Sequence, residues 1–141
     1  MNQQGNDGYP PNRRRAPIND ALGAEFLDGE PARGWVRIRY RGDAAFENGS
    51  GLIQGGILAA MLDNAMSRAL VQNLDNDQIV QTLEMKTTFV APAPIGHVIG
   101  EGQVVRRGRS IVFLEGRLFS EAGDLLATAS STAKIGKRRP D

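Results

Sequence analysis

The chain has no cysteine and one histidine, His97, among its 141 residues. Without cysteine there is neither a disulfide nor a thiolate metal site. One imidazole with no clustered carboxylates leaves no ligand set of the usual spacing, so no metal centre is expected. No run of roughly 18 apolar residues occurs, and no charged-then-apolar leader ends in a small-residue cleavage site, so neither a membrane span nor a signal peptide is expected. Cytoplasmic residence is the corresponding expectation. Charge is balanced at a formal +1, which argues against a nucleic-acid protein that works by neutralising many phosphates. No G-x-G-x-x-G or phosphate-binding loop follows a strand-like run, so no nucleotide-cofactor fold is indicated. His97 has no G-x-S-x-G partner, while Ser50 and Ser67 have loop and helix explanations, so a Ser/His/Asp triad is unsupported. His97 reads as a structural or surface residue.

What is present fits one domain with a single core and no internal repeats. Residues 1–16 combine Asn, Gln, Gly, Pro and Arg in a stretch that cannot build a core, and read as disordered. Residues 17–136 read as the domain, and residues 137–141 as a basic tail. Arg13–Arg15 and Lys137–Arg139 then read as solvated ends.

Pro17–Glu30, with Asn19 or Asp20 as N-cap and apolar Ile18, Leu22 and Phe26, predicts a short amphipathic helix. Gly34–Arg41 alternates, with Val36, Ile38 and Tyr40 on one face and Trp35, Arg37, Arg39 and Arg41 on the other. That is a strand with one wet face. A glycine-rich loop and a long apolar helix follow, ending near Gln72–Gln78. Four further strands are predicted at Ile79–Val90, Gly96–Arg107, Ser110–Ser120 and Leu125–Ile135, separated by Ala91–Pro94, Gly108 and the turn Glu121–Asp124. Tight turns imply antiparallel pairing. The fold class is therefore α+β: a curved antiparallel sheet of five strands wrapped around the central helix, its other face meeting water or another chain.

The richest segment is Asn48–Asp63, a glycine turn opening into that helix. Between Gly55 and Leu74 the only ionisable side chains are Asp63 and Arg68. A helix apolar around most of its circumference belongs inside a protein. An ionised carboxylate there costs several kcal/mol, in rough terms, unless something pairs with it or uses it. Asp63 and Arg68 lie ~140° apart around the helix at 100° per residue and are not an i,i+4 pair. Asp63 is the first candidate for chemistry.

These residues also carry a resemblance. Asn48…Gln54-Gly55-Gly56…Asp63, then Thr82-x-Glu84-x-Lys86-x-Thr88-Phe89, Pro92, Gly96 and Val104-Val105-Arg106-Arg107-Gly108-Arg109 resemble the hotdog-fold thioesterases of the phenylacetic acid degradation type. The resemblance spans roughly Gly34–Ile135. It implies an acyl-CoA thioesterase that releases a carboxylic acid and free coenzyme A with no cofactor. It implies Asp63 as general base or nucleophile, the Gly55 N–H as oxyanion hole, Asn48 positioning thioester or water, and Thr82 orienting the water. It further implies a homodimer, with Asn48 and Gly55 of one subunit facing Asp63 and Thr82 of the other, and tetramers built as dimers of dimers. A helix N-terminus with free N–H donors and partial positive potential suits an oxyanion. Gly55 and Gly56 allow close approach of a substrate to the backbone. The plainer reading of Gly49, Gly51, Gly55 and Gly56 is a tight entry to the helix.

Gln54 departs from the family pattern, which usually has His before the glycine pair. Glutamine can donate and accept hydrogen bonds but cannot take a proton near neutral pH. Substrate contacts are expected from Gly56, Ile57, Leu58, Met61 and Met66, which a buried helix also needs for packing. Arg106, Arg107 and Arg109 are expected to meet nucleotide phosphates or to be a solvated hairpin. Glu84 and Lys86 are expected on an exposed strand face. The alternative function is a non-catalytic acyl-CoA-binding or sensing module, which needs the pocket but gains little from a buried acid.

Overall fold

The computed structural model describes residues 7–140. Its elements are α1 (Pro17–Ala21), β1 (Glu25–Glu30), β2 (Trp35–Gly42), α2 (Gly55–Val71), β3 (Gln78–Phe89), β4 (Gly96–Arg107), β5 (Ile111–Ser120) and β6 (Leu125–Lys137), with short 3-10 turns at Pro31–Arg33 and Ala44–Phe46. Six strands form one sheet in the order β1-β2-β4-β5-β6-β3, every neighbouring pair antiparallel. β4, β5 and β6 form a meander, closed by Gly108 N–H to the Ile111 carbonyl and Ser120 N–H to the Asp124 carbonyl, both 2.8 Å. β3 does not pair with β4, its successor in the chain. The segment Val90–Ile95, with Pro92 and Pro94 unable to continue a ladder, leads the chain away, so β3 lies against β6 and forms one edge of the sheet.

α2 crosses one face of this sheet. Leu58, Met61, Leu62, Ala65, Met66, Ala69 and Leu70 are buried beneath it with Val36, Ile38, Tyr40, Val98, Val112, Leu114 and Leu118 from the strands. The helix comes close because β4 and β5 beneath it carry glycine at the crossing. Val36, Gly102, Gly116 and Ala129 are successive cross-strand partners. A Cβ on Gly102 would sit 2.1 Å from the Ala65 carbonyl oxygen, and one on Gly116 3.0 Å from Met66 Cγ. The opposite face of α2 carries Ile57, Ala59, Ala60, Asp63, Asn64 and Ser67, all half-buried. Enclosure of the helix, expected all round, is thus complete on one side only within the chain.

Three expectations are corrected. The helix predicted over Pro17–Glu30 ends at Ala21, and Glu25–Glu30 is a sixth strand on the free edge of β2. Gly23, at φ +59°, breaks the helix, and the following strand gains the ladder plus a Glu25–Arg39 ion pair at 2.6 Å. Asn19 is no cap: the cap position is Ala16 with Pro17 at the first turn, and Asn19 is fully buried. Residues 7–16 were expected to be disordered, yet they lie against the domain, while residues 1–6 lie outside the described residues. The Arg13 guanidinium donates to the carbonyls of Asp75 and Gln78 at 3.0 and 2.8 Å, Asn76 donates to Pro11, and Tyr9 stacks on Arg68 at 4.8 Å. Polar contacts and one ring hold this segment, so its lack of core-forming residues was a poor guide.

The glycine row generates a prediction. Gly102→Ala drives a methyl into helix backbone that cannot rotate aside, and is expected to lower stability by about 3 kcal/mol, the upper end for overpacking. Gly56→Ala, where a Cβ meets nothing within 4 Å, is expected to be neutral or stabilising by up to ~1 kcal/mol. Urea denaturation of both variants checks the contrast.

Candidate active site

The chain enters α2 through a loop held by its own side chains. Asn48 Oδ1 accepts from Ser50 N–H at 2.9 Å and Glu47 Oε1 from Gly51 N–H at 2.8 Å. Gly49 and Gly51 take φ of +90° and +75°, conformations open to glycine at little cost. Gln54 N–H donates to the Phe46 carbonyl at 2.9 Å, and the Gln54 carbonyl accepts from Ile57 and Leu58. Gln54 is the N-cap, its side chain exposed and making no capping bond. The N–H groups of Gly55 and Gly56 are the orphan donors that every helix start presents, and no acceptor among the described residues takes them.

Beside them lies a cleft of about 310 Å³ lined by Asn48, Leu52, Gly55, Leu58, Phe89 and the Val90–Ala93 segment. The Phe89 ring packs over Gly55, where an added Cβ would sit 3.2 Å from the ring. Phe89 remains 53 % exposed, so the cleft is open on the β3 side. The structure therefore brings Asn48, Gly55 and Phe89 together. Gln54 and Gly56 stand at the rim, exposed, and Ile57 is half-buried beside them.

Asp63 belongs to a different place. It lies two turns further along α2, half-buried rather than buried, and accepts a hydrogen bond from the Thr82 hydroxyl of β3 at 2.7 Å. Eight residues of helix at 1.5 Å each separate the Gly55 N–H from Asp63 by ~12 Å. The two halves of the predicted site are thus each assembled, but not next to each other within the chain.

The buried ionic group of α2 is Arg68, 2 % exposed, not Asp63. Burial lowers its pKa, with Tyr9 and Tyr40 opposing the shift. A polar chain runs beside it: Tyr40 donates to Asn64 Oδ1 at 2.7 Å, Asn64 to Asn19 Oδ1 at 3.1 Å and Asn19 to the Tyr9 hydroxyl at 2.6 Å. Burial also pushes the Tyr40 phenol far above its usual range, so Tyr40 stays a neutral donor.

Other predicted residues lie elsewhere. Met61 and Met66, expected in the substrate pocket, are 0 % and 1 % exposed and face the sheet; packing under α2 uses them fully. Arg106, Arg107 and Arg109 are exposed at the β4–β5 hairpin, remote from the Gly55 cleft. Arg107 donates to the Asn73 carbonyl just past the C-terminal end of α2 at 3.3 Å. It also shares a cross-strand row with Val112, Ala133 and Thr82, three strands or ~14 Å from Thr82. Glu84, Lys86 and His97 are exposed. Among the described residues no group of three or more His, Asp or Glu is placed to hold a metal ion, and no helix is long and apolar enough to cross a membrane. Sequence reasoning missed Phe89 as the roof of Gly55; the Phe in Thr88-Phe89 just ahead of Ala91–Pro94 was its only signal.

Comparison with known proteins gives a consistent answer. The family model described as the thioesterase superfamily matches residues 50–127. A protein of Saccharolobus solfataricus provisionally named an esterase is 30 % identical over 109 residues, covering 77 % of this chain and 75 % of its own. The 1,4-dihydroxy-2-naphthoyl-CoA hydrolase of Listeria monocytogenes is 21 % identical over 122 residues, covering 86 % and 98 %. A crystal structure from Ralstonia eutropha, a phenylacetic acid degradation-related protein provisionally described as a thioesterase, superposes with a TM-score of 0.81 at 31 % identity, covering 86 % of this chain and 92 % of its own.

The loop before α2 yields a separable prediction. Asn48→Asp keeps the Oδ acceptor for Ser50 N–H and is expected within ~0.5 kcal/mol of wild type, whereas Asn48→Ala loses it and about 1 kcal/mol. Equal losses in urea denaturation would mean that the amide N–H donors, not Oδ1, hold the loop.

Proposed function

The chain belongs to the thioesterase superfamily and is a hotdog-fold thioester hydrolase, and we propose that it cleaves acyl-CoA thioesters at a site shared between two copies of itself. The observation that carries this reading is the ~12 Å separation along α2 between the free Gly55 N–H and the Asp63–Thr82 pair. An oxyanion donor and a base must each lie ~3 Å from one reacting carbonyl or its water. One chain supplies both groups but cannot apply both to one substrate. A dimer with antiparallel α2 helices sets Gly55 of one copy opposite Asp63 of the other.

The exposed surface suits that arrangement. β3 is a sheet edge with unpaired backbone groups, and Leu83, Phe89 and Val90 on and just beyond it are 56 %, 53 % and 52 % exposed. Natural proteins seldom leave such an edge bare. Pairing β3 with its copy covers these side chains and the half-buried face of α2 together. Dimers of dimers would then use the outer face of the sheet.

In the proposed mechanism the thioester carbonyl oxygen accepts the Gly55 N–H at the positive end of α2. The partner's Asp63 takes a proton from water as its oxygen bonds to the carbonyl carbon, and the Thr82 hydroxyl holds the carboxylate in place. Collapse of the tetrahedral intermediate breaks the C–S bond, and the departing thiolate takes the proton back. The products are a carboxylic acid and free coenzyme A. Direct attack by Asp63 uses the same groups: its carboxylate oxygen bonds to the carbonyl carbon as the C–S bond breaks, and water then opens the mixed anhydride, its proton passing to the thiolate. Asn48 Nδ2 is left to face thioester or water, since Oδ1 is used within the loop. Gln54 orients substrate without proton transfer. The exposed Arg106, Arg107 and Arg109 are available for nucleotide phosphates. A pure sensing module has no need of a hydroxyl-bonded carboxylate at this position, which favours hydrolysis.

Release of free thiol from a panel of acyl-CoA and aryl-acyl-CoA thioesters tests the reading. Asp63→Asn is expected to lower kcat by orders of magnitude in a folded protein; an unchanged rate removes Asp63 from the chemistry. Gly55→Pro deletes the N–H at a position where proline suits a helix start, and Gln54, at ψ 135°, already has the backbone that precedes proline. It is expected to lose roughly 10²–10³ in kcat, with Gly55→Ala as the control that keeps the N–H. Mixing the two inactive chains, Asp63→Asn and Gly55→Pro, is expected to restore activity because a mixed dimer holds one intact site. No recovery in proven mixed dimers would mean that each site lies within one chain.

A further inference from the structure

Thr82 reaches Asp63 only because β3 is irregular. Lys86 and Thr88 of β3 line a depression on the outer face of the sheet with Glu115, Arg117, Thr128 and Ser130. Strand side chains alternate with a period of two, so a regular β3 would carry Glu84 and Thr82 to that outer face as well. The register instead runs Thr82↔Ala133 and then Glu84↔Thr132. Leu83 is an extra residue with no partner on β6, a bulge of the kind that re-aims a side chain. It returns Thr82 to the side of α2 while Glu84 stays outside.

A bulge disturbs the ladder, and its backbone groups need partners from elsewhere. Ser131 of β6 supplies one. It is 4 % exposed, one of only three buried polar or charged residues among those described, the others being Asn19 and Arg68. Its hydroxyl donates to the Glu84 carbonyl at 3.0 Å. From the other face, Thr132 Oγ1 donates to Glu84 Oε1 at 2.9 Å. Adjacent residues of β6 thus grip Glu84 from opposite faces, by its backbone and by its carboxylate. Ser131 sits between Leu114 and Met85 in the sheet, where a hydroxyl has no use for packing.

We propose that Ser131 is a positioning residue for the thioesterase site: by holding the Glu84 carbonyl it fixes the Leu83 bulge and so the direction of the Thr82 hydroxyl toward Asp63. The inference rests on the reading of Asp63 and Thr82 as part of that site. Ser131→Ala is expected to lower kcat about tenfold with KM within about twofold, and Ser131→Thr, which restores the hydroxyl, to recover most of the loss. In a Thr82→Val background Ser131→Ala is expected to add nothing; losses that multiply fully would overturn the proposal, as would a Ser131→Ala kcat equal to wild type. Ser131→Cys, similar in size with a weaker donor, carries the same test if the alanine variant folds poorly. A second readout needs no turnover. The Thr82 methyl resonance in threonine-labelled protein is expected to move in Ser131→Ala and to return in Ser131→Thr; an unmoved resonance overturns the clamp. A wild type that hydrolyses no thioester would sink the reading of the site alone, and the clamp would then be decided by the resonance.

Discussion

The carbonyl oxygen of Ala65 occupies the place where a side chain on Gly102 would begin. Helix backbone therefore rests almost directly on strand backbone, and this contact sets the height and direction of α2 over the sheet. With Gly116 and Ala129 continuing the row, the helix lies in a shallow trench whose walls are the large buried residues on either side. Dense packing of that kind tolerates little sliding. Three things that the proposed chemistry needs hang from the same helix: the free N–H at one end, the carboxylate midway, and the half-buried face available to a second copy.

The far end of α2 is secured differently. Arg68 carries a buried charge that forms no ion pair among the described residues, and its Nε and Nη1 lack acceptors there. Its compensation comes from the Tyr9 ring and the Asp7 carbonyl. A cation over an aromatic face contributes roughly 0.5–2 kcal/mol, more when desolvated. Residues 7–9 are therefore part of the folded body, and Tyr9 also receives the polar chain that starts at Tyr40 and passes through Asn64 and Asn19. Asn64 follows Asp63 directly in sequence, so this network braces the middle of the helix from the side away from Thr82.

Much of this was legible in the residues. Alternation in Trp35–Arg41, the turn at Gly108 and the apolar run after Gly55 locate their elements closely, because local backbone preference and burial agree there. The Asn48…Gly55…Asp63 spacing drew attention to two places that the structure keeps apart, the cleft beside Gly55 and the Asp63–Thr82 hydrogen bond. What failed did so where long-range contacts decide. Glu25–Glu30 becomes a strand because β2 offers an edge, not because its own pattern demands one. Residues 7–16 are held by contacts distant in sequence, Tyr9 on the buried Arg68 and Arg13 on the carbonyls of Asp75 and Gln78, that no local pattern reveals. Met61 and Met66 have the composition of a pocket, but their angular position on α2 points them at the sheet. The Leu83 bulge has no compositional mark, so the face that Thr82 occupies could not be read from alternation.

Glutamine at position 54, where the resemblance implies histidine, suits this geometry. The side chain at position 54 is exposed at the N-cap, outside the run of free N–H donors, and takes no part in holding the helix start. A proton acceptor there would stand beside the carbonyl oxygen, where charge is stabilised by donors, rather than beside the attacking water. Proton transfer belongs to the other end of the reacting group, where the proposed assembly puts the partner's Asp63 with its Thr82 hydrogen bond. Polarity without basicity is sufficient at position 54 under that division of labour, so the proposed general base catalysis asks for no histidine besides the exposed His97. The division also explains why one helix serves twice. In the proposed dimer its N-terminal end would serve one substrate as oxyanion donor and its middle would serve the other as base, so that two copies would complete two sites.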